Sequence, residues 1–245
     1  MSACKNESAI LMAAGLGTRM RPLTETTPKP LLSAGGRPLI ETVIDGLVKR
    51  GVSRLFVVVG YLGNQFEYLT EKYENLKLLP NSEYRDKNNI SSVHAALDVL
   101  RGTEQGCFLC EADLFLADPS ILLDSLPASC YFGKMVPGHS DDWCFETDDK
   151  GYIRRIGKGG DHLYNMVGIS YFRREEALTL AQSIEYAYTQ PGHDALFWDE
   201  VVDQNLDHIP LVIHEVHEGQ IVEVDTPEEL ERIQGSPSPL SSAAP

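Results

Sequence analysis

The sequence predicts an α/β fold: a Rossmann-like, mostly parallel sheet flanked by helices, with a small antiparallel region that covers the substrate. Three observations predict it. Short apolar, β-branched runs alternate along the chain with stretches of helical periodicity, the pattern of strand–helix–strand units. The first apolar run ends in a glycine-containing loop, where the strands of such a sheet deliver ligand-binding residues. Between residues 130 and 171 the pattern changes to short aromatic-rich runs separated by turns, as in antiparallel strands. With 245 residues, 42% of them hydrophobic, the chain is long enough to bury one sizeable core. Residues 1–234 are assigned to that domain. Residues 235–245, rich in Gly, Ser, Pro and Ala, read as a disordered tail.

The elements follow in order. Ala9–Ala13 opens the sheet, and Leu39, Val43, Ile44 and Leu47 share one face of a helix over 38–50 that Gly51 stops. Leu55–Val59 is a buried strand, 62–73 a helix, 76–79 a short strand, 90–100 a helix and 107–110 the next strand. After the antiparallel region, with a turn at Asp149-Lys150-Gly151, helices are predicted over 175–188 and 195–205. Strands at 211–215 and 221–224 and a final helix over 227–233, capped by Thr226, complete the chain.

Charge and cysteine usage narrow the function. The 21 basic and 36 acidic residues leave a formal charge of −15, which argues against holding nucleic acid or an anionic membrane by bulk attraction. Five scattered cysteines fit reduced thiols in a cytoplasmic protein better than a disulfide framework. Cys107 and Cys110 form a C-x-x-C, but inside an apolar strand and with no second pair at zinc spacing, so packing is the expected role. The N-terminal apolar stretch is too short to span a bilayer.

The most informative segment runs Leu11-Met12-Ala13-Ala14-Gly15-Leu16-Gly17-Thr18-Arg19-Met20-Arg21-Pro22, continued by Pro28-Lys29-Pro30. A buried strand ends in small residues, so backbone N–H groups at Ala13 to Thr18 can approach phosphates closely. Arg19, Arg21 and Lys29 bring cations to the same place. Neither the Walker A pattern nor the dinucleotide fingerprint fits. The string strongly resembles the signature of the sugar-phosphate and choline-phosphate nucleotidyltransferase superfamily. Val59-Gly60-Tyr61-Leu62, Asn88-Asn89-Ile90-Ser91-Ser92, Asp142-Trp143, Phe197-Trp198-Asp199 and Glu223-Val224-Asp225 occur in the order found in bacterial CTP:phosphocholine cytidylyltransferases. That resemblance covers roughly residues 8–233.

Moving a nucleotidyl group calls for a divalent cation on the α-phosphate. Asp113 follows a strand at the sheet's C-terminal edge, and Asp225 ends a strand in which alternation puts Glu223 on the same face. Asp113 and Asp225 match the family's Mg²⁺-binding aspartates and Glu223 a further acidic position, while Glu111 replaces an aspartate more usual in the phosphocholine enzymes. The resemblance implies that CTP and phosphocholine react by in-line attack. Arg19 and Lys29 would hold the triphosphate, with Lys158 as a third cation, and Gly60, Asn81, Asn88 and Ser92 would lie near the base. A trimethylammonium offers no hydrogen-bond donor and needs aromatic faces and acids. Trp143 beside Asp142 and Trp198 beside Asp199 are the expected walls, with Tyr164 or Tyr171 as further candidates. Three rival readings share the loop: a 2-aminoethylphosphonate cytidylyltransferase, which the Glu111-Ala112-Asp113-Leu114 string keeps open; a sugar-1-phosphate nucleotidyltransferase; and a nucleotide-sensing relative without turnover.

Overall fold

The computed structural model describes residues 5–235, so the tail reading and Cys4 lie outside the described residues, Gly235 excepted. Strand β1 (Lys5–Ala13) leads through the glycine loop and a small hairpin, β2 (Ser33–Ala34) and β3 (Arg37–Pro38), into α1 (Leu39–Arg50). Gly51 ends α1 in the left-handed conformation at φ 92°, its N–H reaching the carbonyls of Leu47 and Val48. Then come β4 (Val52–Val59), α2 (Tyr68–Lys72), β5 (Leu76–Pro80), α3 (Ile90–Ala95), α4 (Leu97–Arg101), β6 (Gly106–Glu111) and β7 (Leu114–Leu116). The antiparallel region is β8 (Cys130–Met135), β9 (His139–Thr147), β10 (Ile153–Asp161) and β11 (Tyr164–Arg173). The chain closes with α5 (Arg174–Tyr188), α6 (Trp198–Asp203), β12 (Val212–Glu215), β13 (Ile221–Glu223) and α7 (Pro227–Gly235).

Among the described residues the main sheet has nine strands. Its half made of β5, β4, β1 and β6 is parallel. β11 then pairs antiparallel with β6, and β8, β9, β10 and β12 extend from it. The parallel strands are apolar on both faces because helices cover both. Ala9, Leu11, Ala13 and Val57 pack toward α1, whereas Ile10 and Val58 pack toward α3, α4 and α5. Cys107 and Cys110 fall on opposite faces of β6, one in each core, and burial pushes both thiols up. They cannot share a ligand, in line with the packing role.

Three predicted helices are interrupted. Leu62 takes a left-handed conformation and residues 63–66 form a 3₁₀ turn, so the regular helix begins only at Tyr68. A one-residue break at Ala96 divides 90–100 into α3 and α4, which lets Val99 be buried together with Leu97 and Leu100. Before α6, Leu196 and Phe197 are extended. Thr226 does cap α7: its Oγ1 accepts from the Glu229 N–H at 3.3 Å, while Glu229 accepts from Thr226 N–H at 2.9 Å and Asp225 N–H at 2.7 Å. This reciprocal cap holds the backbone of Asp225. No described helix is long and apolar enough to cross a membrane.

Candidate active site

The C-terminal ends of β1, β4 and β6 meet at one edge of the sheet, where open α/β sheets bind ligands. Three adjoining cavities there share wall residues and form one cleft. The first, about 240 Å³, is lined by the glycine loop with Arg19, Lys29 and Asp113. Gly17 sits at φ +60°, and a side chain there would strike Lys29 and Thr24, whose hydroxyl donates to the Gly17 carbonyl at 2.8 Å. Nothing stands within 4 Å of where a Gly15 side chain would point. That open space leaves the loop backbone accessible to a ligand. Leu16 is half-buried and lines none of the three cavities.

Asp113, Glu223 and Asp225 converge, with ligand oxygens all within 4.8 Å of one another. They come from three local causes: the turn after β6, the end of β13 paired with β7, and the capped start of α7. Lys29, 7% exposed, donates from Nζ to Asp113 Oδ2 and Asp225 Oδ1, both at 2.6 Å, and Arg19 reaches Asp225 at 2.7 Å. Burial alone would lower the Lys29 pKa, but Asp113 and Asp225 outweigh it and hold the pKa above its ordinary value. Asp113 Oδ1 is buried without a hydrogen-bond partner. Desolvation, then Asp113 and Asp225, pushes the Glu223 carboxyl up to about 8. A three-carboxylate oxygen set with one idle buried oxygen could hold a hard divalent cation.

The second cavity, about 310 Å³, is lined by Asn81, Asn88 and Ser92 together with Asn89 of the same motif, and by Tyr84 and Lys87, which sequence reasoning passed over. Asn81 donates to Ser91 and Ser92 at 2.9 and 3.3 Å, and the Asn88 amide donates to the Ala195 carbonyl at 3.0 Å. Gly60 lies behind this wall rather than in it, packed so tightly that a side chain would meet the Tyr84 ring at 2.7 Å. It shapes the pocket by letting Tyr84 close over it.

The third cavity, about 560 Å³, brings Glu111, Asp142, Trp143, Lys158, Phe197 and Asp199 together. Here the expected walls need correction. Trp198 is only 3% exposed and stacks on Tyr131 in the core, so Phe197, not Trp198, faces Trp143, with ring centroids 5.4 Å apart. Tyr171 lies buried at the far edge of the sheet against Glu7, and Tyr164 is outside the cleft. Lys158 also differs from expectation: its Nζ sits 5.8 Å from the Trp143 ring and 5.5 Å from the Phe197 ring, away from the glycine loop. Asp199, 2% exposed, accepts from the Tyr131 hydroxyl at 2.9 Å, and burial pushes its carboxyl up to about 7. Burial, with Asp113, Glu223 and Asp199 nearby, holds Glu111 well above the ordinary carboxylate range.

Comparison with known proteins assigns this cleft to a family. Residues 9–194 match the model of the MobA-like NTP transferase domain. The chain belongs to that family. It is 53% identical to 2-aminoethylphosphonate cytidylyltransferase of Lancefieldella rimae, over 94% of this chain and 92% of that protein. It is 30% identical to choline-phosphate cytidylyltransferase of Streptococcus pneumoniae, over 92% and 96% respectively. The solved structure of the S. pneumoniae CTP:phosphocholine cytidylyltransferase superposes with a TM-score of 0.85 at 31% identity, covering 93% of this chain and 97% of that one. As a member of the MobA-like family the chain is a nucleotidyltransferase, and these full-length relatives are cytidylyltransferases.

Proposed function

We propose that the protein transfers CMP from CTP to 2-aminoethylphosphonate, releasing pyrophosphate. The observation that carries this reading is the acceptor cavity's floor. Glu111 and Asp199 are desolvated carboxyl groups that, among the described residues, form no ion pair with the cations lining the cavity, a setting that suits a hydrogen-bonding primary ammonium. The 53% identical relative of nearly equal length supports the same acceptor. We favour it over the first expectation from sequence, phosphocholine, which relied in part on a Trp198 wall.

In this mechanism a phosphonate oxygen attacks the α-phosphorus of CTP in line; the new P–O bond forms as the bond to the pyrophosphate oxygen breaks. Catalysis then rests on positioning and charge. The loop from Ala13 to Thr18 offers backbone N–H groups to the phosphates, and Arg19 and Lys29 offset the charge that gathers on the leaving pyrophosphate. Asn81, Asn88 and Ser92 supply short polar groups for the cytosine edge. Asp113, Asp225 and Glu223 would hold Mg²⁺, which supplies Lewis-acid charge to the reacting phosphate. Glu111 and Asp199 orient the acceptor through its ammonium.

Phosphocholine remains the second reading because the Trp143–Phe197 pair offers aromatic faces in the same cavity. Pyrophosphate release with CTP and each acceptor alone separates the two. The proposal expects the higher kcat/KM with 2-aminoethylphosphonate; a higher value with phosphocholine or a sugar 1-phosphate would overturn it.

A further inference from the structure

We infer that Lys158 is a specificity-determining residue: its ammonium fills the aromatic seat of Trp143 and Phe197, excluding acceptors that carry a quaternary ammonium. The inference rests on the reading of a primary-ammonium acceptor and adds the device that enforces it. Lys158 lies directly opposite Trp143 in the β9–β10 ladder. Cross-strand neighbours on one face touch, so the ladder itself sets the ammonium over the ring. Phe197 completes the seat beside Trp143, the two ring centroids 5.4 Å apart and the ammonium resting against both. It is fixed by its N–H donating to Glu200 at 2.8 Å, and α6 is tied to β10 by the Ile156 N–H donating to Asp203 at 2.6 Å.

The seat is unusual in what it lacks. Asp141, Asp142, Glu111 and Asp199 line the same cavity, yet the Lys158 ammonium pairs with none of them and rests on the two rings. A trimethylammonium has no donor to offer the carboxylate floor and depends on aromatic faces. To bind here it would have to share those faces with a like charge or displace it. A primary ammonium avoids the conflict by donating to Glu111 and Asp199.

The test compares 2-aminoethylphosphonate with its N,N,N-trimethyl derivative as acceptors for wild type, Lys158→Met, Lys158→Arg and the double variant Lys158→Met/Trp143→Leu. Lys158 is solvent-exposed, so its single variants should fold as wild type does, and circular dichroism checks the double variant, in which the half-buried Trp143 is also changed. Lys158→Met should reduce the preference for the primary amine by roughly tenfold or more, through a lower KM for the trimethyl acceptor. Lys158→Arg, which keeps a cation on the rings, should retain the wild-type preference, and the Trp143→Leu change should cancel the gain. Calorimetric titration with choline gives a readout independent of turnover: binding should strengthen in Lys158→Met relative to wild type. Equal losses of kcat/KM for both acceptors in Lys158→Met, with choline binding unchanged, would overturn the inference while leaving the proposed reaction intact. A wild type that prefers the trimethyl acceptor would overturn both.

Discussion

Replacing Lys29 by Met tests the electrostatic design of the cleft, because the thioether keeps most of the stem's volume and removes the charge. Asp113, Glu223 and Asp225 would then face one another with ligand oxygens within 4.8 Å and without the ammonium that bridges the two aspartates. At that separation and an effective dielectric constant of about 20, one carboxylate pair repels by about 3.5 kcal/mol. The Asp113 and Asp225 side chains are each 23% exposed, so solvent reduces this, and a net loss of about 2–3 kcal/mol is expected. For a chain of this size that lowers Tm by about 5–10 °C in EDTA. Added Mg²⁺ should recover more of the loss than it adds to wild-type Tm, since the variant's carboxylates keep only the exposed Arg19 guanidinium on Asp225 as a competing cation. Pyrophosphate release should nonetheless remain reduced on the order of 100-fold at saturating Mg²⁺, as the buried one of the two cations proposed to face the leaving group is gone. Thermal unfolding across a Mg²⁺ titration reads both effects. Equal Tm for variant and wild type in EDTA, or equal Mg²⁺ response, would refute the reasoning.

Other outcomes follow from the same geometry. Asp113→Asn or Asp225→Asn should abolish Mg²⁺-dependent turnover with little change in circular dichroism, and wild-type rates at limiting Mg²⁺ would remove that residue from the site. Trp198→Leu should cost stability, on the order of 2–4 kcal/mol by denaturant unfolding, with acceptor KM less affected than in Trp143→Leu. Asp199→Asn should stabilise the protein at alkaline pH: the carboxyl's folded pKa of about 7 lies above its unfolded value. The native protein therefore loses stability as pH rises from the unfolded pKa through about 7, by at most about 4 kcal/mol. The Asn variant should lack that loss, and a parallel pH dependence of Tm for the two proteins would contradict it.

What the sequence reveals and what it conceals divide along a physical line. The glycine loop and the carboxylates at strand ends were legible because each depends on local backbone form: a strand that stops in small residues, or alternation that aligns Glu223 with Asp225. The aromatic walls were not. Whether Phe197 or Trp198 meets the cleft is decided by stacking of Trp198 on Tyr131 and Phe172, partners remote in the chain. Lys158 was hidden by register. Counting from the Thr147–Ile153 pair would place Gly157 opposite Trp143, but an irregularity between Ile153 and Arg155 shifts the ladder by one and brings Lys158 there instead. Tyr84 entered the second cavity because Gly60, far away in sequence, gives its ring room.

The central claim is that the cleft joins CMP to a phosphonate bearing a primary ammonium. A competition assay addresses it most directly: CTP and Mg²⁺ with equimolar 2-aminoethylphosphonate and phosphocholine, followed by ³¹P NMR, in which the phosphonate product and the phosphate diester resolve as separate signals. The account predicts that the CMP–phosphonate adduct accumulates first and in excess, with pyrophosphate in equal amount. Accumulation of CDP-choline ahead of the phosphonate adduct would contradict it.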